Sequence, residues 1–143
     1  MKDALIFVVP GLPQGKGRAR FGNGRAYTPA KTVAYEGLVA MAGHQAMNGR
    51  PLIEGPVYML VNAFFPIPKS WSKARREAAL TGTVWHTGKP DGDNILKAVG
   101  DALNEVAFKD DSQVAFAKIT KRYAETARVE VMIEELTAND KRI

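Results

Sequence analysis

The sequence predicts one α+β domain, built as a mixed β-sheet with helices packed on it. Three observations carry this expectation. Apolar runs of strand length alternate with helix-like stretches, one stretch repeats its apolar residues at about 3.6-residue spacing, and a carboxy-terminal run alternates with a period of about two. The 143 residues show no internal repeat or low-complexity tract, and that length can hold a core of its own. The domain is expected over residues 1–137, leaving 138–143 as a loose tail.

Taken in order, Ala4 to Val9 is short and apolar and reads as a buried strand. Gly11 to Arg20 is rich in glycine and cations and reads as a loop. Thr28 is expected to cap the next helix, with Pro29 in its first position and Asn48-Gly49 closing it. Val57 to Phe65 is a second strand, Pro66 to Ser70 a turn, and Trp71 to Leu80 a short basic helix stopped by Gly82. A further helix places Ile95, Leu96, Val99, Ala102, Leu103 and Val106 on one face, with Lys97, Asp101 and Asn104 opposite. Asp93 or Asn94 is its expected cap. Val114 to Tyr123 and Ala127 to Glu135 read as a hairpin, with Val129, Val131 and Ile133 turned inward.

Composition removes several classes of function. The chain has no cysteine, which excludes disulfides and thiolate metal sites, and His44 and His86 are too few for a histidine-rich zinc site. No apolar run approaches the roughly 20 residues of a membrane span, and Ala4 to Val9 is too brief for a signal peptide, so a cytoplasmic protein without membrane contact is expected. Charge is unevenly spread: residues 1–50 hold seven basic and two acidic side chains, residues 51–90 five and two, and residues 91–143 eight and eleven. A basic amino-terminal part thus meets an acidic carboxy-terminal part, a division suited to a polyanion gripped by Lys and Arg while carboxylates collect metal.

Gly11 to Arg20 is similar to a phosphate-binding loop but is no Walker A motif. Three residues rather than four separate Gly11 from Gly15, and Gly17 stands where a Ser or Thr is needed. What remains is a cationic segment, Lys16, Arg18, Arg20 and then Arg25, able to grip a nucleic-acid backbone. Lys69, Lys73, Arg75 and Arg76 form a second basic patch. Either set can also be an ordinary solvated face.

The densest chemistry lies at Lys89-Pro90-Asp91-Gly92-Asp93-Asn94-Ile95-Leu96-Lys97, followed by Asp110-Asp111. If locally extended, Asp91 and Asp93 point to one side of the backbone and can share a cation. Magnesium takes oxygen ligands at about 2.1 Å, few of them carboxylates, and completes its shell with water and phosphate. Lys97 would face the same phosphate. The plainer alternative makes Asp91 a turn residue, Asp93 a cap and Lys97–Asp101 a surface ion pair worth under about 1 kcal/mol.

The pattern Lys-Pro-Asp-x-Asp-Asn-x-x-Lys-x-x-x-Asp-Ala-Leu-Asn, then Asp-Asp-x-Gln-Val, resembles the signature of the RusA family of Holliday junction resolvases, many of them phage-encoded. Lys89, Pro90, Asp91, Asp93, Asn94, Lys97, Asp101, Ala102, Leu103, Asn104, Asp110, Asp111, Gln113 and Val114 carry it. The segment from Pro13 to Arg20, the Tyr27-Thr28-Pro29 turn and Pro68-Lys69-Ser70-Trp71 are similar to family features too.

The resemblance implies a homodimeric, magnesium-dependent endonuclease, with manganese as a substitute, that resolves four-way DNA junctions by paired nicks. It implies Asp91, Asp93 and Asp111 as essential metal-binding acids and Lys97 as the essential lysine, with Asp110 the alternative to Asp111. Asp101 and Asp110 are expected behind the metal, and Lys16, Arg18, Arg20, Arg25, Lys69, Lys73 and Arg76 on DNA. A non-catalytic branched-DNA-binding protein and a small phosphoester hydrolase are the competing functions; the retained acids disfavour the first and the spread of cations the second.

Overall fold

The computed structural model describes residues 4–142. Its architecture follows from one segment, β4 (Val57–Pro66), whose run of apolar side chains is too continuous for a strand at the rim. It lies inside a four-stranded mixed sheet with β1 (Leu5–Pro10), β5 (Val114–Ala124) and β6 (Arg128–Glu135), in the order β1-β6-β4-β5. β4 runs antiparallel to β6 and parallel to β5, and β1 pairs antiparallel with β6.

Two helices, α1 (Ala30–Met47) and α3 (Gly92–Ala102), pack together on one face of this sheet. Tyr35, Val39 and Met47 from α1 and Ile95, Val99 and Ala102 from α3 close the core over Leu5, Val61, Val131 and Ile133. A shorter helix, α2 (Lys73–Leu80), lies beside β5 and is capped by Ser72, whose hydroxyl accepts from the Arg75 N–H at 3.2 Å. The opposite sheet face is only partly covered. Guanidinium groups of Arg128 and Arg142 lie 4.1 Å above Phe64 and Tyr58, and the exposed Ile6 sits in register with Met132, which sits in register with Leu60. No helix among the described residues is long and apolar enough to cross a membrane.

The α+β class, the mixed sheet and the packed helices agree with expectation, but four local expectations do not. β5 and β6 are not a hairpin, because β4 lies between them. Alternation reports which face of a strand is buried and carries no information on its neighbour. Thr28 does not cap α1; Pro29 holds that position with an extended backbone, and its carbonyl accepts from Val33 at 3.1 Å. Asn48 and Gly49 do end α1, both at positive φ. α3 begins at Gly92, so Asp91 rather than Asp93 or Asn94 occupies the cap position. Val106 falls outside α3, in a turn where Glu105 adopts φ 63° and its N–H donates to Phe108 at 2.8 Å.

An element absent from the expectation is a small ribbon, β2 (Arg20–Gly22) with β3 (Arg25–Tyr27), turning through Asn23 and Gly24 at φ 52° and 77°. Two left-handed residues in succession are the geometry of the tight hairpin turn that Asn-Gly favours. Within 138–142, part of the expected loose tail, Arg142 is held on the sheet. Besides covering Tyr58, Arg142 bonds Glu134 at 3.1 Å and Asp140 at 2.7 Å.

Phe108 belongs to no helix or strand, yet it is wholly buried and is the largest such side chain. Phe108→Ala is expected to cost about 3–5 kcal/mol through lost burial and the cavity left behind. Urea unfolding checks this; a loss under about 1 kcal/mol would show that α3 and the following turn do not depend on that side chain.

Candidate active site

Parallel pairing of β4 with β5 requires a long crossover, and residues 67–113 provide it. Every acid singled out in the sequence therefore lies in, or at the end of, one connection. Gly92 sits against Ile119 in the middle of β5, whereas Gly100 sits against Asp111 just before β5 begins, so α3 runs back along that strand.

On α3, Asp93, Lys97 and Asp101 recur every fourth residue and form one polar stripe. Asp101 is its most enclosed member and accepts two ammonium groups, Lys16 at 3.1 Å and Lys97 at 3.7 Å. Lys16 also bonds Glu36 of α1 at 2.7 Å. Burial pushes the Lys16 pKa down, but the bonds to Glu36 and Asp101 outweigh it and hold the value above the ordinary one. Lys16 thus ties its loop to both helices, and its ammonium is already engaged within the protein. The loop's glycines make this docking possible: a Cβ on Gly17 would lie 2.6 Å from the Thr32 hydroxyl, which accepts from the Gly17 N–H, and one on Gly15 would lie 3.0 Å from Asn94 and Pro90.

A single 3-10 turn, Asp111–Gln113, separates the roles of the two adjacent acids. Asp110 caps it, accepting from Ser112 N–H at 3.0 Å, and its bonds to Ser112 hold its carboxyl below the usual range. The Gln113 side chain fixes the turn, accepting from the N–H groups of Lys109 and Asp110 at 3.0 Å and donating to the carbonyls of Ile53 and Gly55 at 2.8 and 3.0 Å. Asp111 is left to face α3 beside Gly100, close enough to Asp101 for the two carboxyls to interact. Its pKa is raised, first by burial, then by Asp101 and Asp110, with Lys97 opposing.

Asp91 and Asp93 lie at the other end of the stripe. Asp91 makes no capping bond, is half exposed and pairs with Lys89 at 3.4 Å. The helix already starts at Gly92, so the extended backbone that would turn Asp91 and Asp93 to one side is not formed. Asp93 and Asp101 are eight residues apart, about 12 Å along the axis, with Lys97 midway. Among the described residues, no three His, Cys, Asp or Glu side chains are grouped closely enough to hold one ion. The carboxylate nearest Asp111 is Asp101, expected only in support, and the i, i+4 spacing from Lys97 was its signal in the sequence. Oxygen-only donors in a mutually repelling pair suit a hard divalent cation, which commonly takes just one or two carboxylates.

Cations lie near the Asp91 end of the stripe. An open groove of about 600 Å³ is lined by Arg18, Arg20, Lys31, Lys89 and Pro90, the last two directly preceding Asp91 in the chain. Arg25 lies outside it, at a separate hollow around the ribbon turn. Across Pro90, a hollow of about 220 Å³ is framed by Phe65, Pro68, His86 and Tyr123. His86 stacks on Phe65 at 3.6 Å, and burial followed by the Lys121 charge lowers its pKa, which suits packing rather than phosphate binding. Arg75 covers Trp71 at 3.7 Å, while Lys69 and Lys73 project outward from α2 and the turn before it, with Arg76 half buried.

A family model described as "Endodeoxyribonuclease RusA" matches residues 10–134, from the end of β1 through most of β6. The chain belongs to the RusA endodeoxyribonuclease family. The match takes in both basic segments, the whole α3 stripe and Asp111. An uncharacterized Bacillus subtilis (strain 168) protein, YqaN, is 44% identical over 142 residues, covering 95% of this chain and 99% of its own.

For this RusA-family site the raised pKa of Asp111 has a definite consequence for stability. A carboxyl that holds its proton more tightly when folded stabilises the fold below the ordinary carboxylate value of 3.8 and loses that contribution as pH rises through its folded value. Asp111→Asn, which imitates the protonated form, should therefore melt higher than the native chain at pH 7, with the difference closing as pH falls below about 3.8. Thermal unfolding across pH, without divalent metal, checks this; a difference independent of pH would contradict it.

Proposed function

We propose that this RusA-family chain is a magnesium-dependent, homodimeric endonuclease that resolves four-way DNA junctions by paired nicks. The observation that supports it best is the position of Lys97, between Asp93 and the Asp101–Asp111 pair on one stripe, with a cationic groove whose lining reaches Lys89 and Pro90 beside Asp91.

When bound, magnesium would lower the pKa of a coordinated water and polarise the scissile phosphate. The Asp101–Asp111 pair would hold it in this arrangement, whereas Asp91 and Asp93, which the family resemblance implies as ligands, lie about 12 Å or more along α3 and would join the same ion only after the site rearranges on DNA. Lys97, whose side chain is 59% exposed, has its ammonium free to meet a phosphate, while Asp101 orients it from behind. Asp110 and Gln113 shape the turn that aims Asp111 and do not reach the reacting groups. Arg18, Arg20, Lys31 and Lys89 would follow the DNA backbone on one side, with Lys69, Lys73 and Arg76 on the other.

A four-way junction has approximate twofold symmetry and two equivalent strands to cut, which an isologous dimer matches with two equivalent sites. The partly open sheet face, with Ile6, Met132 and Leu60 side by side, offers an apolar surface for self-association.

With magnesium, labelled four-way junctions should be nicked in opposing strands, and linear duplex of the same sequence should not. Asp93→Asn and Lys97→Ala should each lower the rate by about 10²-fold or more while leaving junction binding within a few-fold. Equal cutting by either variant, or no cutting of branched DNA with magnesium or manganese, would sink the proposal. Arg18→Ala combined with Arg20→Ala should weaken binding and reduce the slope of log affinity against log salt by about two, as expected for two lost phosphate contacts. An unchanged slope would take the groove out of the DNA path.

A further inference from the structure

We infer that the β2–β3 ribbon enters the branch point of the DNA, where Phe21 acts as an apolar wedge against an unstacked base. This inference rests on the junction-cutting reading above.

The ribbon's two strands pair only with each other and join neither edge of the main sheet. A two-stranded hairpin of this size is marginal in water by itself, so its apolar side chains would ordinarily be packed away. Here the reverse holds. Phe21 is 83% exposed and Tyr27 49%, making Phe21 the most exposed of the large apolar side chains. Cross-strand pairing sets Phe21 opposite Ala26, a residue too small to cover it. On the other face, the Tyr27 ring lies over Gly22, where a Cβ would come within 3.0 Å of it, and Arg20 and Arg25 flank that pair. The ribbon therefore offers a bare phenyl ring on one face and a braced, cationic surface on the other.

Charge identifies the partner. From Ala4 to Tyr35 the chain carries no acidic residue, while Lys16, Arg18, Arg20, Arg25 and Lys31 are all basic. A second copy docking here would bring like charges together, whereas a polyanion would be attracted. A two-stranded ribbon fits the major groove, which is about 12 Å wide, and architectural proteins combine arginines with an inserted Phe to part a base step. A branch point is where stacking is already interrupted, so separating bases there costs least. Arg20, on the ribbon's other face, also lines the groove shared with Lys89 and Pro90, so a DNA arm leaving the branch point could be held there, close to Asp91. The wedge would hold the branch at a fixed distance from the cut and thereby select branched over linear DNA.

The test uses the full chain and a four-way junction with 2-aminopurine at the branch point. Without magnesium, native protein should raise the 2-aminopurine fluorescence, Phe21→Ala should lose that rise, and Phe21→Tyr should restore it. With magnesium, Phe21→Ala should cut the junction roughly 5- to 100-fold more slowly, the range expected for one lost base–aromatic stack, with an unchanged melting temperature. If native protein cuts the junction and Phe21→Ala matches it in both fluorescence and rate, the wedge is wrong and the junction-cutting reading stands. If native protein neither binds nor cuts the junction, both fall. A change in the DNA-free sedimenting mass of Phe21→Ala would also overturn the wedge, by making the ribbon a contact between copies.

Discussion

The constraint on which the rest of this structure depends is the pairing of β4 along both of its edges. With β6 antiparallel on one side, the other edge receives β5 in parallel, and a parallel neighbour can be reached only by a long crossover. That crossover must return over the sheet, so α3 is laid along β5 with its apolar face in the core. Its polar stripe is thereby held in place by Ile95, Ala98 and Val99, all buried, rather than by any interaction of the stripe itself. A stripe positioned by packing can carry mutually repelling acids without being distorted by them.

Charge within the stripe is arranged so that repulsion stays local. Asp101 lies close to Asp111 and helps to raise the Asp111 pKa, and Lys16 and Lys97 both pair with Asp101. The two lysines differ in kind. Lys16 is enclosed and shares itself between Glu36 and Asp101, so it serves the fold; Lys97 is exposed and has one longer contact, so it keeps most of its bonding capacity. Removing a partner from an enclosed ion network strands a charge, whereas removing an exposed partner leaves water to replace it. The division between the cation that serves the fold and the one left open to solvent therefore follows from depth and not from residue type.

This division marks the limit of what the sequence alone could reveal. The α3 stripe was legible because helical periodicity is local, and Asn48-Gly49 ended α1 for equally local reasons. The pairing of Lys16 with Glu36 and Asp101 was not, because those partners lie 20 and 85 residues along the chain. Asp101 was likewise undervalued, since its closeness to Asp111 depends on how the crossover returns to the sheet. The hairpin read into β5 and β6 failed for the same reason: alternation specifies faces, and strand order is a long-range property. The ribbon is different. Its Asn23-Gly24 turn is a local signal, but strands of three residues are too short to show the alternation that would accompany it.

The separation of the carboxylates along α3 sets a condition on any chemistry the chain performs. Asp93 and the Asp101–Asp111 pair, about 12 Å apart along the axis, cannot ligate a common ion in this arrangement. Lys97, midway, is within one helical turn of both, so a phosphate bound at Lys97 would have carboxylates on either side of it. Such a phosphate must arrive through the open end near Asp91, because the far end of the stripe is closed by Lys16 and by the turn that Gln113 fastens to Ile53 and Gly55. The groove holding Arg18, Arg20, Lys31 and Lys89 opens at that same end. In the proposed function, a polyanion following these cations would meet Asp91 and Asp93 before Lys97 and Asp111. Among the described residues Asp91 and Asp93 have no buried partner, which would leave their oxygens available in the metal-dependent cleavage proposed above.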